Sequence, residues 1–213
     1  MKTVDLTHSM KEGMPVYPGT PEPSFITDYT IEKDGFAETH LNMYSHTGTH
    51  MDFPAHMIEN ALTSSDFETD KFYGNGLVID CRNYSENSVV DIEYIRKYDK
   101  QIEVSDFVLF NFGWDSYWGE EKYFSGYPVL SQEATQYLVE KNIKAVGFDA
   151  ISIDISDSLE FKNHMIALGA NMLIIENLTN LSQLIDKNFK FAAFPLKLSG
   201  KDGSPVRAVA IIE

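Results

Sequence analysis

The sequence has little that could cross-link the chain, because Cys81 is the only cysteine among 213 residues. A single cysteine cannot form a disulfide within the chain, which fits a protein of a reducing compartment. Cys81 closes the strand-like run at residues 77–80. We therefore expect Cys81 to be a core residue, with a nucleophilic thiol as the less favoured alternative.

Basic residues and long apolar runs are also scarce. The chain has 17 Lys and Arg against 32 Asp and Glu, a formal net charge of -15 at pH 7. Nucleic acids and anionic membranes are bound through basic surface, so the charge argues against both and favours a small-molecule partner. No apolar run approaches the roughly 20 residues of a membrane helix, and residues 1–8 lack the apolar stretch of a signal peptide. We expect a cytoplasmic protein.

The rest of the composition is that of an ordinary globular protein, with 43% hydrophobic and 13% aromatic residues. It predicts a single domain over residues 1–213. Strands are predicted at residues 25–31, 39–45, 77–81, 107–112, 145–148, 172–175, 189–198 and 206–212. Helices are predicted at residues 91–98, 131–141, 158–168 and 178–185, with Asp91 as N-cap of the first and Ser131 opening the second. This order indicates a mixed α/β fold.

The most informative stretch is residues 46–56, which contains His46, His50, Asp52 and His56. An even spread of the six histidines would place roughly one in 35 positions, yet three lie within these eleven residues. Imidazoles and carboxylates bind divalent metals and transfer protons near neutral pH. The pattern favours a metal site. The alternative is a polar loop whose histidines hydrogen-bond to backbone carbonyls.

The spacing of His46 and His50 would suit one face of a helix, but Gly48 and Pro54 disfavour a helix interior. The run at residues 39–45 alternates apolar and polar side chains and reads as a strand. We therefore expect the ligands at the end of a strand and in the loop that follows. Thr49 is a candidate hydrogen-bonding partner behind them.

The motif His-x-Gly-Thr-His-x-Asp-x-Pro-x-His resembles that of the metal-dependent hydrolases of the cyclase superfamily, which include bacterial kynurenine formamidase and isatin hydrolase. The resemblance extends along nearly the whole chain, through Asp5-Leu6-Thr7-His8, residues 14–21, Gly113-Trp114, His164 and Glu176-Asn177-Leu178. It implies a swivelling β/β/α barrel-like domain and a homodimer or homotetramer. It also implies one or two divalent ions, for which imidazole and carboxylate ligands favour Zn²⁺, with Mn²⁺ as the alternative.

Carried over by position, the resemblance makes His46, His50 and Asp52 the ligands of a first metal. It makes His164 and Glu176 ligands of a second, with Asp52 bridging the two ions, and leaves His56 as the catalytic proton shuttle. The residues themselves support this in part. Glu176 ends an apolar run and needs a cationic partner if buried, or else caps the next helix. His164 alone reads as a structural histidine.

Other polar and aromatic residues have weaker claims on a site. Tyr17 stands where kynurenine formamidases usually have Trp, and Thr49 where they have the smaller Ala, which weakens kynurenine as the substrate. Tyr17 is interpreted either as a pocket residue or as a packed loop anchor. His40 is expected to be structural or to lie behind the ligands, and His8 to be a core hydrogen-bonding residue. The last group is expected in solvated turn and helix-cap roles rather than in a metal site: Asp149, Asp154 and Asp157.

The resulting hypothesis is an arylformamidase-like amidohydrolase that cleaves a C–N bond of a small arylformamide or cyclic amide. Metal ions would activate water and polarise the carbonyl, and His56 would pass a proton to the leaving nitrogen. Two alternatives stay open. One is a metal-dependent cyclase, dehydratase or isomerase that stabilises an enolate, and the other is a non-catalytic small-molecule-binding protein.

Overall fold

The structure, a computed structural model, describes residues 1–212. Twelve strands occur in this range: β1 Lys2–Asp5, β2 Ser24–Tyr29, β3 Glu38–Asn42, β4 His50–Asp52, β5 Tyr73–Asp80, β6 Val89–Val90, β7 Phe107–Asn111, β8 Val129–Leu130, β9 Ala145–Phe148, β10 Leu173–Glu176, β11 Phe189–Pro195 and β12 Gly203–Ile212. The α-helices are α1 Ile31–Asp34, α2 Ile92–Arg96, α3 Asp99–Ile102, α4 Gln132–Glu140 and α5 Lys162–Gly169. Short 3₁₀ turns lie at Pro54–His56, Thr69–Phe72, Trp114–Tyr117, Glu121–Phe124 and Leu181–Leu184.

Seven strands close into a mixed barrel in the order β12-β11-β5-β7-β9-β10-β4, with β4 pairing back to β12. Strands β5, β7, β9 and β10 are parallel, and their crossovers contain α2 and α3, then α4, then α5. Parallel neighbours need such helical crossovers, which explains the alternation in the middle of the chain. The long strand β12 pairs with β4 at residues 203–205 and with β1 at residues 209–212.

Two hydrophobic cores lie on opposite faces of the parallel strands. Alternate residues of β7 show the division: Phe107 and Leu109 point into the barrel, and Val108 and Phe110 point towards the helices. Every barrel strand contributes to the inner core. Because both faces of β7 are buried, its sequence is a continuous apolar run instead of an alternating one.

The helix starts at Asp91 and Ser131 are confirmed, since each side chain accepts a hydrogen bond from the third backbone N–H beyond it. Several predicted bounds are wrong. The helix predicted at residues 158–168 begins only at Lys162, and the one at 178–185 is reduced to the 3₁₀ turn at Leu181–Leu184. The strand predicted at residues 206–212 begins earlier, at Gly203, and the one predicted at 77–81 begins at Tyr73.

In place of the strand predicted at residues 39–45, the structure has β3, which ends at Asn42. All five residues of β3 are exposed. It pairs only with β2, and the two form a hairpin outside the barrel. The predicted alternation of Leu41 and Met43 against their polar neighbours therefore does not mark a buried face. Leu41 is 53% exposed. The strand that carries His50 and Asp52 is instead the separate three-residue strand β4.

Strand β11 offers a matched pair of phenylalanines for testing the inner core. Phe191 is fully buried against Phe107, with ring centroids 4.9 Å apart, whereas Phe194 is 51% exposed. We expect Phe191→Ala to lower the free energy of unfolding by about 3–5 kcal/mol. Phe194→Ala should change it by less than about 1 kcal/mol. Urea denaturation measures both, and equal losses would contradict the placement of Phe191 in the core.

Candidate metal centre and active site

The site is built where β4 closes the barrel. Met51 points into the inner core, so its neighbours His50 and Asp52 point to the opposite face of the strand. Glu176 on β10 is paired with His50, and Gly203 on β12 is paired with Asp52. The short strand therefore brings a histidine and a carboxylate beside a second carboxylate from its neighbour.

Two buried carboxylates converge here on imidazole nitrogens. Asp52 is 0% exposed and Glu176 is 5% exposed. The Nε2 atom of His50 lies 3.2 Å from Asp52 Oδ1 and 3.5 Å from Glu176 Oε2. The Nε2 atom of His164, from α5, lies 3.5 Å from Glu176 Oε1 and 3.8 Å from Asp52 Oδ2. The structure thus brings His164 to the cluster, where the sequence alone predicted a structural histidine.

His46 and His56 flank this cluster. His46 lies in the loop before β4 and places Nδ1 2.7 Å from Asp52 Oδ1. His56 lies in the 3₁₀ turn Pro54–His56, and its ring centroid is 4.0 Å from that of His46. The motif histidines therefore lie before, on and after β4, instead of at a strand end and in the loop beyond it.

The charges of the cluster are balanced by imidazoles. Burial lowers the pKa of His46, but the carboxylates of Asp52 and Asp202 outweigh it and raise the pKa to about 9. Burial also lowers the pKa of His164, and Asp154 and Glu176 raise it to about 10. Burial raises the pKa of Asp52, yet His46 and His50 hold it well below its ordinary value. For Glu176, burial and the nearby Asp52 charge raise the pKa.

These residues fit a divalent cation. Within residues 1–212, the buried Asp52 Oδ2 has no hydrogen-bond partner, although it lies in the middle of the cluster. An unpartnered buried carboxylate oxygen is costly, and a cation among these oxygens and nitrogens would offset that cost. Two sets of side chains could each hold an ion, namely His46, Asp52 and His56, and His50, Asp52 and Glu176.

Hydrogen bonds on the side away from the carboxylates orient the imidazole rings. The backbone oxygen of Gly48 lies 2.8 Å from His50 Nδ1, and Asn177 donates to the same oxygen. Asp154 lies 2.8 Å from His164 Nδ1. Both contacts leave the Nε2 atoms free to face the carboxylates. Thr49 donates to the backbone oxygen of Asn177, so it supports the scaffold behind the ligands, as predicted.

The three aspartates expected in solvated turn or helix-cap roles differ from one another in the structure. Asp154 is buried and accepts the backbone N–H groups at the start of α5, which confirms its helix-cap role. Asp149 is fully buried and accepts N–H groups from residues 112–114, so the prediction of a solvated turn is wrong for it. Asp157 is exposed. Asp202 was missed, although its carboxylate lies 2.8 Å from His46 Nε2.

The remaining candidate residues lie away from the centre of the cluster. The side chain of His40 is 63% exposed on the outer hairpin, 4.0 Å from Asp28, and does not lie behind the ligands. His8 stacks on Trp118, and burial lowers its pKa to about 4 against opposing effects of Asp115 and a hydrogen bond to Leu178. Cys81 is a core residue, and burial raises the pKa of its thiol, as do the nearby aspartates.

A cavity of about 360 Å³ opens in front of the cluster. His46, His50, His56, His164 and Glu176 form its floor. Tyr17 lines its wall, so the structure favours the pocket interpretation of this residue over a buried loop anchor. The other wall residues are mostly apolar or aromatic: Pro15, Val16, Tyr44, Met57, Ile151 and Phe161. None of the residues lining this cavity is lysine or arginine.

Comparison with known proteins identifies the family of this chain. The Cyclase family model matches residues 4–155. The chain belongs to the Cyclase family. It is 30% identical over 207 residues to kynurenine formamidase of Erythrobacter litoralis, covering 96% of this chain and 91% of the relative.

Two solved structures of the family share the fold. One, a potential metal-dependent hydrolase with cyclase activity, is 29% identical, with a TM-score of 0.83 over 100% of this chain and 98% of that one. The other, isatin hydrolase A of Ralstonia solanacearum, is 25% identical, with a TM-score of 0.85 over 100% of this chain and 92% of that one. The mixed α/β fold predicted from the order of elements and the barrel-like domain implied by the family resemblance are therefore confirmed.

The position of His46 can be tested through Gly203, over which its ring is packed. A Cβ atom at Gly203 would lie 2.6 Å from His46 Cε1, so Gly203→Ala must displace the imidazole. We expect about a 10- to 100-fold loss of Zn²⁺ affinity, the usual cost of disturbing the support of a ligand. Competition with a chromophoric chelator measures the affinity.

Gly169→Ala is the matched control, because the atom nearest to its added Cβ is Ile58 Cδ1 at 3.9 Å, an ordinary contact. It should bind Zn²⁺ as the unmodified protein does. Equal Zn²⁺ affinity for the two variants would show that His46 does not contribute to metal binding.

Proposed function

We propose that this protein is a metal-dependent amidohydrolase that cleaves a C–N amide bond of a small molecule. The observation that carries the proposal is the convergence of two buried carboxylates, Asp52 and Glu176, on the Nε2 atoms of His50 and His164 at the floor of a pocket. The relatives named kynurenine formamidase and isatin hydrolase both act on C–N acyl bonds, which supports the same reaction class here.

The proposed ligands are His46, His50 and Asp52 for one ion and His164, Glu176 and the shared Asp52 for a second. The central position of Asp52 supports its bridging role, since its two oxygens face different histidines. Histidines with carboxylates suit Zn²⁺, and the carboxylate share of the set also suits Mn²⁺. Such ions, when bound, would lower the pKa of a coordinated water and polarise a substrate carbonyl.

His56 is the proposed proton shuttle. Its side chain is 31% exposed, while those of His50 and His164 are 4% and 6% exposed, so His56 is the most open of these three to the pocket. Its ring lies against His46 and 5.9 Å from that of His164. A histidine there is placed to deliver a proton to the leaving nitrogen of an amide bound on the floor.

The pocket supports an uncharged aromatic substrate. Its wall offers Tyr17, Tyr44, Met57 and Phe161 for contact with a flat ring system, and Tyr17 is the proposed substrate-binding residue. No lysine or arginine is found among the described residues that line the cavity, and its histidines already face Asp52, Glu176, Asp154 and Asp202, so the carboxylate of an amino-acid substrate would find no free cationic partner there. We therefore favour simple arylformamides or cyclic amides over formylkynurenine.

A second candidate function is a metal-assisted cyclase, dehydratase or isomerase reaction. The observation that favours it is the solved relative described as a potential metal-dependent hydrolase with cyclase activity. The same ions would then stabilise an enolate in place of a tetrahedral oxyanion.

We further propose that residues 1–213 act as one domain, that the protein works in the cytoplasm and that it forms a homodimer or homotetramer. Pairing of β1 with β12 joins the two ends of the chain in one sheet, which supports a single domain. The single buried cysteine fits the cytoplasm.

Apolar side chains exposed on the β2–β3 hairpin and its turn support self-association: Ile26, Tyr29, Phe36 and Leu41. No helix within residues 1–212 is long and apolar enough to cross a membrane.

His56→Ala should separate proton transfer from metal binding. We expect the variant to keep its metal but to lose about 10²–10⁴-fold in kcat, the usual contribution of a positioned acid–base group. Elemental analysis and steady-state kinetics measure the two quantities. His40→Ala is the control, because His40 lies on the outer hairpin and should change neither.

Loss of metal from His56→Ala would instead make His56 a ligand. Unchanged metal and unchanged rate would contradict the shuttle role and favour a non-catalytic binding protein.

The reaction itself is tested by a substrate panel in ¹⁸O-labelled water with the Zn²⁺- and Mn²⁺-reconstituted enzyme. We expect hydrolysis of formanilide or isatin, with one solvent oxygen in the acyl product. Formylkynurenine should be a poorer substrate by kcat/KM, because no lysine or arginine of the pocket lining can pair with its carboxylate. Turnover without ¹⁸O incorporation would indicate a cyclase or isomerase, and a preference for formylkynurenine would contradict the proposed substrate class.

A further inference from the structure

Asp202 is a carboxylate at the edge of the site for which the proposed ligand set has no role. It directly precedes β12 and is tied to the end of β4, because its backbone oxygen accepts the N–H of Phe53 at 2.9 Å. Its side chain reaches across to the loop before β4, where Ser45 Oγ lies 3.3 Å from both carboxylate oxygens. Asp202 therefore has a fixed position relative to the strand that carries His50 and Asp52.

The two nitrogens of His46 face two different carboxylates. Nε2 lies 2.8 Å from Asp202 Oδ2, and Nδ1 lies 2.7 Å from Asp52 Oδ1. The surroundings of the two carboxylates differ strongly, since the side chain of Asp202 is 41% exposed and that of Asp52 is 1% exposed. At these distances both nitrogens can donate to a carboxylate. If a cation replaced the proton on Nδ1, the outer carboxylate would hold the remaining proton on Nε2.

Two other imidazoles at the floor of the pocket, those of His164 and His50, follow the same arrangement. The Nδ1 atom of His164 faces Asp154 at 2.8 Å, and that of His50 faces the backbone oxygen of Gly48 at 2.8 Å. In each case an acceptor on the outer side fixes which nitrogen faces Asp52 and Glu176. His46 differs, because the nitrogen that faces Asp52 is Nδ1 and not Nε2. The outer partner on Nε2 is therefore what selects Nδ1 as the inward nitrogen of His46.

We propose that Asp202 is a positioning residue that holds the Nε2 proton of His46 and so presents Nδ1 as a metal ligand beside Asp52. The inference rests on the proposed metal site but not on the hydrolytic reaction. Asp202 acts through His46 and needs no contact with the substrate. A carboxylate raises the basicity of the imidazole it binds. Removal of Asp202 should therefore weaken metal binding by His46 as well as disturb the orientation of its ring.

The test uses the full-length protein with Zn²⁺ as the probe. Asp202→Ala should lower Zn²⁺ affinity about 10- to 100-fold in a chelator competition, the usual cost of losing such a partner. Asp202→Asn should lose less, because its amide oxygen can still accept the Nε2 proton. Asp157→Ala, which removes an exposed carboxylate, is the charge-matched control and should bind as the unmodified protein does.

A second readout separates positioning from a general loss of structure. Imidazole ¹⁵N shifts of the Zn²⁺-loaded protein show which nitrogen of each histidine carries the proton. We expect Asp202→Ala to lower the fraction of His46 that has Nδ1 on Zn²⁺ and the proton on Nε2, and to leave His164 unchanged. Asp154→Ala should change the signals of His164 and leave those of His46 unchanged.

Three results would overturn the inference: a Zn²⁺ affinity of Asp202→Ala equal to that of the control, an unchanged fraction of His46 bound through Nδ1, or equal changes at His46 and His164. Protein that binds Zn²⁺ and shows the crossed pattern, but hydrolyses no amide, would contradict the proposed function and support the role of Asp202.

Discussion

The architecture depends on the closure of the barrel by the three-residue strand β4, which pairs with β10 on one side and β12 on the other. One side chain of this strand, Met51, fills the inner core, and the two beside it face the site. The candidate metal ligands His50 and Asp52 are therefore held by the same backbone hydrogen bonds that close the sheet. A three-residue strand cannot shift register without moving Met51 out of the core, so the positions of His50 and Asp52 are fixed by packing.

The second constraint is electrostatic. Burying Asp52 beside Glu176 places two like charges together in a region that water cannot screen, and each would favour protonation of the other. The imidazoles around them supply the compensating charge, which is why the pKa values of His46 and His164 rise despite burial. A divalent cation would take over that compensation. The cluster is thus better suited to binding a cation than to contributing stability, since buried ion pairs seldom stabilise a fold outright.

The sequence predicted those parts of the structure that depend on local signals. Caps at Asp91 and Ser131 and the buried runs of β7 and β10 follow from residue type and periodicity alone. The motif at residues 46–56 identified three histidines and Asp52, which the fold does bring together. The family resemblance added His164, whose approach to Asp52 depends on the packing of α5 against the barrel and carries no local signal.

The errors have physical causes. The exposed hairpin β2–β3 alternates as a half-buried strand would, but in the structure it lies outside the barrel, so its pattern marks no core face. Asp149 follows a strand and looked like a turn residue, yet three backbone N–H groups from another loop hold it in the interior. Asp202 is 156 residues from His46, and only barrel closure makes the two neighbours.

The floor and the walls of the pocket come from different kinds of structure. Three residues of the floor, His50, Glu176 and His164, are carried by β4, β10 and α5, which pack against the two cores, and His46 and His56 flank β4. The walls come largely from connecting segments, through Val16, Tyr17, Tyr44 and Phe161. Phe161 adopts a φ of 47° at the start of α5, a costly conformation for a bulky side chain, and there it presents its ring to the cavity. Loops can change without disturbing a core, so substrate choice can vary while the floor of the pocket stays constant. This division explains how one fold accommodates relatives named for different substrates, and why the wall residues of this chain are better evidence for its substrate than its overall similarity to any one of them.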